Sequence, residues 1–317
     1  MSERTSYIGA DGSFQRPDST IRDWVTADGS SEFPAEAGRY HLYVSWACPW
    51  AHRTIIVRRL KGLEGVIGAS FADPIRDDRG WAFTGGDHAD PVNGFRFLSE
   101  AYAATEQTYD GRISVPVLWD TRTGRIVNNE SADIVRMLGS AWDEWGDATL
   151  DLYPDPLREE IDTLNARIYD AVNNGVYKAG FATRQEAYEH AVRGIFVLLD
   201  ELDDRLATRR FLFGDRPVET DWRLFTTLVR FDAVYAIHFK CSLKRVLDYP
   251  HLWPYLRDLY QWPRVAETVR FDEIRAHYYR THPSINPNGI VALRPEADLT
   301  ALHDRERLMG STQLRAA

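Results

Sequence analysis

Cys48 is the residue whose surroundings point most directly to chemistry. It follows a predicted strand, Arg39–Ser45, and directly precedes a predicted helix, with Pro49 at the first helical position, where a missing N–H costs nothing. The unpaired N–H groups and the positive end of a helix dipole favour an anion, so we expect this thiol to ionise readily and to act as a nucleophile. His52 and Arg53, one turn along, are candidates for added positive charge. The alternative is a buried structural cysteine, the commonest fate of a free thiol.

Cys48 has no neighbouring partner thiol. Ala51 stands where a dithiol motif has its second cysteine, and Cys241, the only other cysteine, lies far along the chain. A mixed disulfide on Cys48 therefore has to be resolved by an external thiol. Two cysteines build neither a disulfide scaffold nor a four-ligand zinc site, so we predict no metal and interpret Cys241 as a packed thiol.

Composition argues against several classes of function. The net charge of −9 disfavours a nucleic-acid partner and an anionic membrane surface. No apolar run approaches the ~20 residues that span a bilayer, and the polar N-terminus lacks the apolar region of a signal peptide, so we expect a cytoplasmic protein. The sequence contains no nucleotide-binding fingerprint, phosphate loop or serine-nucleophile elbow.

The elements around Cys48 follow the order of a thioredoxin fold. Apolar residues at helical spacing predict a helix of roughly three turns directly after the cysteine. A second strand is predicted at Val66–Phe71, followed by an Asp-, Gly- and Pro-rich insertion over 72–111. A hairpin of two strands, Ile113–Trp119 and 125–129, comes next, and a short helix begins at Ser131. Pro116, inside the hairpin, has to lie at the start of a strand or follow a cis peptide bond.

Beyond a linker that ends near Pro156, the pattern is helical throughout. Thr183 and Glu186 have the spacing of a capping box ahead of the second helix. The predicted helices lie at 157–172, 187–206, 221–239 and 252–260. The sequence therefore predicts an α/β thioredoxin-like N-terminal domain followed by an all-α C-terminal domain.

These patterns divide the chain into four predicted segments. They are an extended N-terminal arm (1–38), a thioredoxin-like thiol-binding domain with its insertion (39–139), an all-helical domain (156–280) and a C-terminal tail (281–317).

Seven motifs, spread from about residue 38 to residue 290, carry a family resemblance. They are SWACPWAHRT, GWAF, SVPVLWD, NNESADIVRM, NNGVYKAGFAT, RFDAVYAIHFKCSLKR and HYYRTHPSINPNGI. Together they resemble the glutathionyl-hydroquinone reductases, also called xi-class glutathione transferases. The resemblance implies the glutathione-transferase architecture, a homodimer, and reduction of S-glutathionyl-hydroquinones to hydroquinones with release of glutathione disulfide. In that cycle the cysteine attacks the thioether sulfur, the hydroquinone leaves, and free glutathione resolves the mixed disulfide.

The resemblance also implies roles for residues of the thiol-binding half. Cys48 matches the nucleophile, and Trp81 matches a tryptophan that contacts the bound thiol. Glu130 and Ser131 match the pair that receives the γ-glutamyl end, where a carboxylate suits the ammonium group and a helix N-terminus suits the carboxylate. Four residues match the segment whose backbone pairs with the glutathione peptide, as an added strand would: Arg112, Ile113, Ser114 and Val115.

Three tyrosines of the helical half complete the set that the resemblance implies. Tyr177 matches the residue that transfers a proton to the leaving quinol, and a phenol is a suitable donor to a departing phenolate because their pKa values are close. Tyr235 and Tyr278 match tyrosines that lower the pKa of the nucleophilic thiol. Without the motifs, packing would be the default interpretation of each tyrosine.

Two other functions and one choice of thiol stay open at this point. A conventional transferase that conjugates glutathione to electrophiles would need an activating serine or tyrosine in place of Cys48. A non-catalytic binder of aromatic ligands would leave the thiol unactivated. Mycothiol or another small thiol is an alternative to glutathione, and the sequence specifies neither the physiological quinone nor the dimer geometry.

Overall fold

The computed structural model describes residues 7–310, which form two compact units. The first, called here the Cys48 unit, consists of 17–151 and 267–277. The second, the helical unit, consists of 7–16, 152–266 and 278–310. The ends of the predicted arm and tail, 1–6 and 311–317, lie outside the described residues, and the predicted domain limits remain predictions.

The Cys48 unit is built on a four-stranded mixed sheet with the order β4-β3-β5-β6. Strand β3 pairs parallel with β4 and antiparallel with β5, and β5 pairs antiparallel with β6. A parallel pair, β1 and β2, precedes the sheet. The strands are β1 Val25–Thr26, β2 Phe33–Pro34, β3 Tyr40–Val44, β4 Gly68–Phe71, β5 Val117–Asp120 and β6 Arg125–Asn128.

Three helices belong to this unit: α1 Pro49–Leu60, α2 Leu98–Thr105 and α3 Ser131–Ser140. All five residues of β3 are buried, as expected for a central strand covered on both faces. Helix α1 packs against α3. The Val115–Pro116 peptide bond is cis and lies just before β5. The predicted thioredoxin-like fold is confirmed.

The helical unit contains five complete helices and part of a sixth among its described residues. They are α4 Arg158–Ile168, α5 Gly175–Phe181, α6 Gln185–Leu206, α7 Glu219–Arg230, α8 Leu252–Gln261 and α9 Phe271–Arg280, whose residues are divided between the two units. Two π-helical segments, Tyr169–Asn173 and Phe231–Tyr235, follow α4 and α7. Short 3₁₀ turns occur at Asp155–Leu157, Val246–Asp248 and Glu306–Leu308, and a further one, Ala266–Thr268, is divided between the two units. The predicted all-α C-terminal part is confirmed.

The predicted capping box at Thr183 is wrong. Helix α6 begins at Gln185, and its N-cap residue is Arg184, which makes no side-chain capping bond. The backbone N–H of Thr183 instead donates to the carbonyl of Gly12 in the N-terminal arm, so a contact distant in sequence replaces the local cap. Within residues 7–310, none of the helices combines the length and the apolar character that crossing a bilayer requires.

Candidate active site

Cys48 is the N-cap residue of α1. Its backbone is extended, with φ −77° and ψ 121°, and Pro49 begins the helix. The side chain is 8% exposed, and its Sγ donates to the carbonyl oxygen of Val115 at 3.5 Å. The predicted strand–cysteine–helix junction is therefore present, and it places the sulfur beside the cis Val115–Pro116 bond.

The segment 112–115 is held by two tyrosines. The hydroxyl of Tyr102 donates to the carbonyl of Ser114 at 2.8 Å and accepts from its N–H at 3.2 Å, while Tyr109 donates to the carbonyl of Arg112 at 3.4 Å. Burial raises the pKa of Tyr102, so this hydroxyl stays protonated and available for both bonds. Tyr102 on α2 therefore fixes the course of the chain that leads to Val115.

Glu130 and Ser131 lie side by side at the N-terminus of α3. Glu130 is the N-cap residue, and its Oε1 accepts from the N–H of Ala132 at 3.0 Å. The almost fully buried guanidinium of Arg53 donates to Ser131 Oγ at 3.4 Å. A carboxylate, a helix N-terminus and a buried cation thus meet at one point. Such a set fits the paired ammonium and carboxylate groups of a γ-glutamyl end.

Trp81 is 5% exposed and stacks on His277, with ring centres 5.0 Å apart and planes inclined by 14°. His277 is fixed in turn, because its Nδ1 is hydrogen-bonded to the carbonyl of Pro74 at 2.7 Å. His52 is fully buried, and its Nε2 lies 2.7 Å from Thr268 Oγ1 in a hydrogen bond. His52 therefore ties α1 to the segment 267–277 of the same unit, which is a structural role.

The three predicted tyrosines meet within the helical unit. Tyr278 on α9 is the middle member: its hydroxyl lies 2.5 Å from that of Tyr177 on α5 and 2.9 Å from that of Tyr235. Burial raises the pKa of Tyr235 and Tyr278 well above that of a free tyrosine, and the positive charge of Arg230 acts against this shift. The three hydroxyls form a continuous hydrogen-bonded chain along which a proton can pass.

The ring of Phe239 packs beside these hydrogen-bonded tyrosines. Its ring stacks on Tyr235, with centres 5.6 Å apart and planes inclined by 17°, and lies 5.4 Å from the ring of Tyr177. A Cβ added to Gly180 would lie 2.2 Å from Phe239 Cδ1, so the glycine is what allows α5 to approach this closely. Cys241 is fully buried, and burial raises the pKa of its thiol, in agreement with its interpretation as a packed cysteine.

Several supporting contacts were not predictable from the sequence. Arg53 was a candidate for added charge near Cys48, but nothing in the sequence indicated its hydrogen bond to Ser131 Oγ. Nothing in the sequence indicated that His277 would stack on Trp81. Each of these pairs joins residues that are far apart in the chain, and no local periodicity or motif signals them.

A thioredoxin-like unit with a lone cysteine at a helix N-terminus, followed in the chain by a helical unit, defines a glutathione transferase. In agreement, residues 47–141 match the family model of the glutathione S-transferase N-terminal domain, and residues 185–258 match that of the C-terminal domain. The chain is 50% identical over 308 residues to glutathionyl-hydroquinone reductase YqjG of Escherichia coli, covering 94% of each chain. It is 48% identical over 293 residues to glutathionyl-hydroquinone reductase PcpF of Sphingobium chlorophenolicum, covering 92% of each.

Solved structures place the chain in the same class. The glutathione-bound structure of Escherichia coli YqjG superposes with a TM-score of 0.89, at 50% identity, covering 90% of this chain and 96% of that one. The xi-class transferase of Natrialba magadii also gives a TM-score of 0.89 at 50% identity, covering 91% and 89%. The chain belongs to the xi class of glutathione transferases, the family of the glutathionyl-hydroquinone reductases.

Proposed function

We propose that this protein reduces S-glutathionyl-hydroquinones to hydroquinones, with glutathione as the co-substrate and glutathione disulfide as the second product. The observation that carries the proposal is Cys48, which caps α1 with an Ala at position 51 in place of a second cysteine. A lone nucleophilic thiol is suited to a cycle that a second thiol molecule completes. The two relatives named glutathionyl-hydroquinone reductases, at 50% and 48% identity, support the same reaction.

In the first step the Cys48 thiolate attacks the thioether sulfur. A sulfur–sulfur bond forms between Cys48 and glutathione, and the carbon–sulfur bond breaks, with its electron pair passing to the hydroquinone ring system. The hydroquinone takes up one proton and leaves. In the second step a glutathione thiolate attacks the mixed disulfide, releases Cys48 as the thiolate, and departs as glutathione disulfide. Overall, one glutathione thiol and the thioether sulfur become the two sulfurs of the disulfide, the ring carbon that carried the sulfur is reduced, and Cys48 is regenerated.

Tyr177 is the proposed donor of the proton to the leaving hydroquinone. Its hydroxyl is bonded to Tyr278, which is bonded to Tyr235, so a proton that Tyr177 gives up can be replaced along the chain. Tyr235 and Tyr278 have a second proposed role, in which their hydroxyls favour the thiolate form of Cys48. This assignment rests on the motifs in which the tyrosines occur.

Glutathione is proposed to bind along the edge formed by residues before the cis-proline and by the N-terminus of α3. Glu130 takes the ammonium group, and Ser131, backed by the buried Arg53, takes the carboxylate of the γ-glutamyl end. Trp81 contacts the thiol-bearing part of the ligand. Backbone pairing is assigned to the segment Arg112, Ile113, Ser114 and Val115.

We propose that the reaction proceeds without a metal or a membrane and that the protein acts as a cytoplasmic homodimer. The identity of the small thiol is a separate question from the reaction type. Initial rates with the same quinone carried on glutathione or on mycothiol, each with its own thiol as reductant, address it. We expect the glutathione thioether to react much the faster, because the γ-glutamyl contacts at Glu130 and Ser131 have no counterpart in mycothiol.

The test of the function itself uses glutathionyl-menadiol with excess glutathione. Release of menadiol and of glutathione disulfide in equal amounts is expected, and neither should exceed background with Cys48→Ala. Strong conjugation of chlorodinitrobenzene that survives Cys48→Ser would show a conventional transferase instead. Binding of the thioether without any turnover would show a non-catalytic binder of aromatic ligands.

A further inference from the structure

The first described part of the N-terminal arm, residues 7–16, is packed into the helical unit. A bridge joins Ile8 to Phe14, and the carbonyl of Gly12 accepts from the N–H of Thr183 at 3.0 Å. Gly12 has φ +81°, and a Cβ there would lie 2.6 Å from Arg184 Cγ, so only glycine allows this approach. The arm therefore has a defined place at the junction of α5 and α6.

Arg16 is the last residue of this part of the arm, and its side chain reaches α5. Its Nε donates to the Oδ1 of Asn174 at 2.7 Å. Its guanidinium carbon lies 4.5 Å from the centre of the Tyr177 ring and 5.4 Å from that of Phe14. Both distances are within the range of a cation–π contact, so a half-buried positive charge lies over the face of Tyr177.

We propose that Arg16 is a positioning residue for the reaction: its guanidinium stabilises the negative charge that develops on Tyr177 as this tyrosine gives its proton to the leaving hydroquinone. The inference rests on the proposed function and adds a residue that the motifs did not point to. Arg16 acts through Tyr177 and has no assigned contact with the substrate.

The physical reason is the charge change at Tyr177. Before transfer, the phenol ring attracts the guanidinium only through its quadrupole, which is a weak interaction. After transfer, the phenolate carries a full negative charge that extends over the same ring, so the contact becomes a charge–charge attraction. Tyr177 is 8% exposed, so water screens that attraction little. An interaction that grows as the proton leaves accelerates the step.

The bond to Asn174 makes this contact persistent. Asn174 immediately precedes α5, and its carbonyl accepts from the N–H of Tyr177 at 3.0 Å. One residue therefore anchors both the guanidinium and the first turn that carries the tyrosine. Loss of the anchor and loss of the charge are separable by substitution, because glutamine keeps a donor without a charge and lysine keeps the charge.

The test compares Arg16→Gln and Arg16→Lys with the wild-type protein in two assays. The first measures menadiol release from glutathionyl-menadiol. The second measures reduction of the mixed disulfide of glutathione and mercaptoethanol, in which the leaving group is a thiolate that needs no phenol as proton donor. We expect Arg16→Gln to lower kcat in the first assay about 10-fold with little change in KM, and to leave the second assay within twofold.

Arg16→Lys should recover most of the menadiol rate, and Arg193→Gln, which removes an exposed arginine on α6, should match the wild type in both assays. The inference is overturned if Arg16→Gln keeps the menadiol rate, if it loses both activities in parallel, or if Arg16→Lys is as slow as Arg16→Gln. A wild-type protein that releases no menadiol would instead overturn the proposed function, while its disulfide assay would still report on Cys48.

Discussion

The hydroxyl oxygens of Tyr177 and Tyr278 lie 2.5 Å apart, at the short end of the range for hydrogen bonds between hydroxyl groups. Tyr278 is also bonded to Tyr235, at 2.9 Å. Tyr177 is the most exposed of the three, at 8% against 1% for Tyr278 and 0% for Tyr235. The order of exposure suits the proposed roles, in which Tyr177 gives its proton to a bound molecule and the other two resupply it.

Tyr177→Phe is expected to lower kcat for hydroquinone release by about 100-fold or more, because general acid catalysis contributes roughly 10²–10⁴-fold to such steps. KM for the thioether should change little. Steady-state kinetics with glutathionyl-menadiol measures both quantities. The matched control is Tyr188→Phe, which removes a hydroxyl that donates to the carbonyl of Lys240 elsewhere in the same unit.

If the control variant slowed the reaction as much as Tyr177→Phe, a general loss of folding would explain both results. A Tyr177→Phe variant of unchanged kcat would remove Tyr177 from the mechanism. Reduction of a glutathione mixed disulfide by the same variant separates the two steps, because attack by Cys48 on a disulfide needs no phenol. That activity should survive the loss of the Tyr177 hydroxyl.

The two cysteines are expected to differ completely in reactivity. Cys48 lies at a helix N-terminus, whereas Cys241 is fully buried and burial raises the pKa of its thiol. Iodoacetamide added to the native protein should place one group on Cys48 and none on Cys241, as read by peptide mass spectrometry. Cys48→Ala should abolish turnover, and Cys241→Ala should retain it. Native labelling at Cys241 would contradict the assignment.

We expect Glu130 and Ser131 to contribute to binding of the γ-glutamyl end, and therefore to KM rather than to kcat. Glu130→Gln keeps an oxygen that can cap α3 but loses the charge that faces an ammonium group. KM for glutathionyl-menadiol should therefore rise roughly 10-fold, because these groups hold its γ-glutamyl end and hydrogen bonds to charged groups contribute about 1.5–3 kcal/mol. Ser131→Ala should have a similar effect.

Asp133→Asn is the matched control for these variants. Asp133 lies in the first turn of the same helix but is paired with Arg22, so its substitution should leave the KM for glutathionyl-menadiol unchanged. Isothermal calorimetry with glutathione provides an independent reading of binding. Equal losses of affinity in Glu130→Gln and Asp133→Asn would mean that both variants act by destabilising the N-terminus of α3, and not by removing a contact with the ligand.

The sequence predicted the fold through its local patterns. The strand before Cys48 and the amphipathic runs each follow from the types of neighbouring residues, whereas for Pro116 the sequence left two options, the start of a strand or a cis peptide bond. Helix α2 was not predicted, because its eight residues inside the segment 72–111 are too few to establish a period. The capping signal at Thr183 failed because a carbonyl from the distant arm satisfies its N–H.

The site was predictable only in part. The prediction that Cys48 is a nucleophile rests on the local order of strand, cysteine, proline and helix alone. The tyrosines needed the motifs, since a phenol in a helix is usually packed. Neither the local pattern nor the motifs indicated Arg16, because the fold of residues 7–16, which no periodicity predicts, brings its guanidinium to the ring of Tyr177.

A buried histidine in the sheet links stability to pH. His41 on β3 is 5% exposed, and its Nε2 is hydrogen-bonded to Ser70 Oγ on β4 at 2.8 Å. Burial lowers the pKa of His41 from 6.5 to about 4, because the neighbouring strands exclude the water that would stabilise a charged imidazole. The folded protein therefore keeps this side chain neutral under conditions in which an unfolded chain protonates it.

The unfolded state binds more protons than the folded state between pH 6.5 and about 4, so the contribution of His41 is fully present above pH 6.5 and is lost as pH falls to about 4. The loss approaches about 3 kcal/mol. Urea unfolding at pH 7 and pH 4.5 measures it. His41→Gln should lose correspondingly less stability on acidification than the wild type, whereas His190→Gln, at an exposed position on α6, should follow the wild type. Parallel pH dependence of the His41→Gln variant and the wild type would contradict the neutral, buried state of His41.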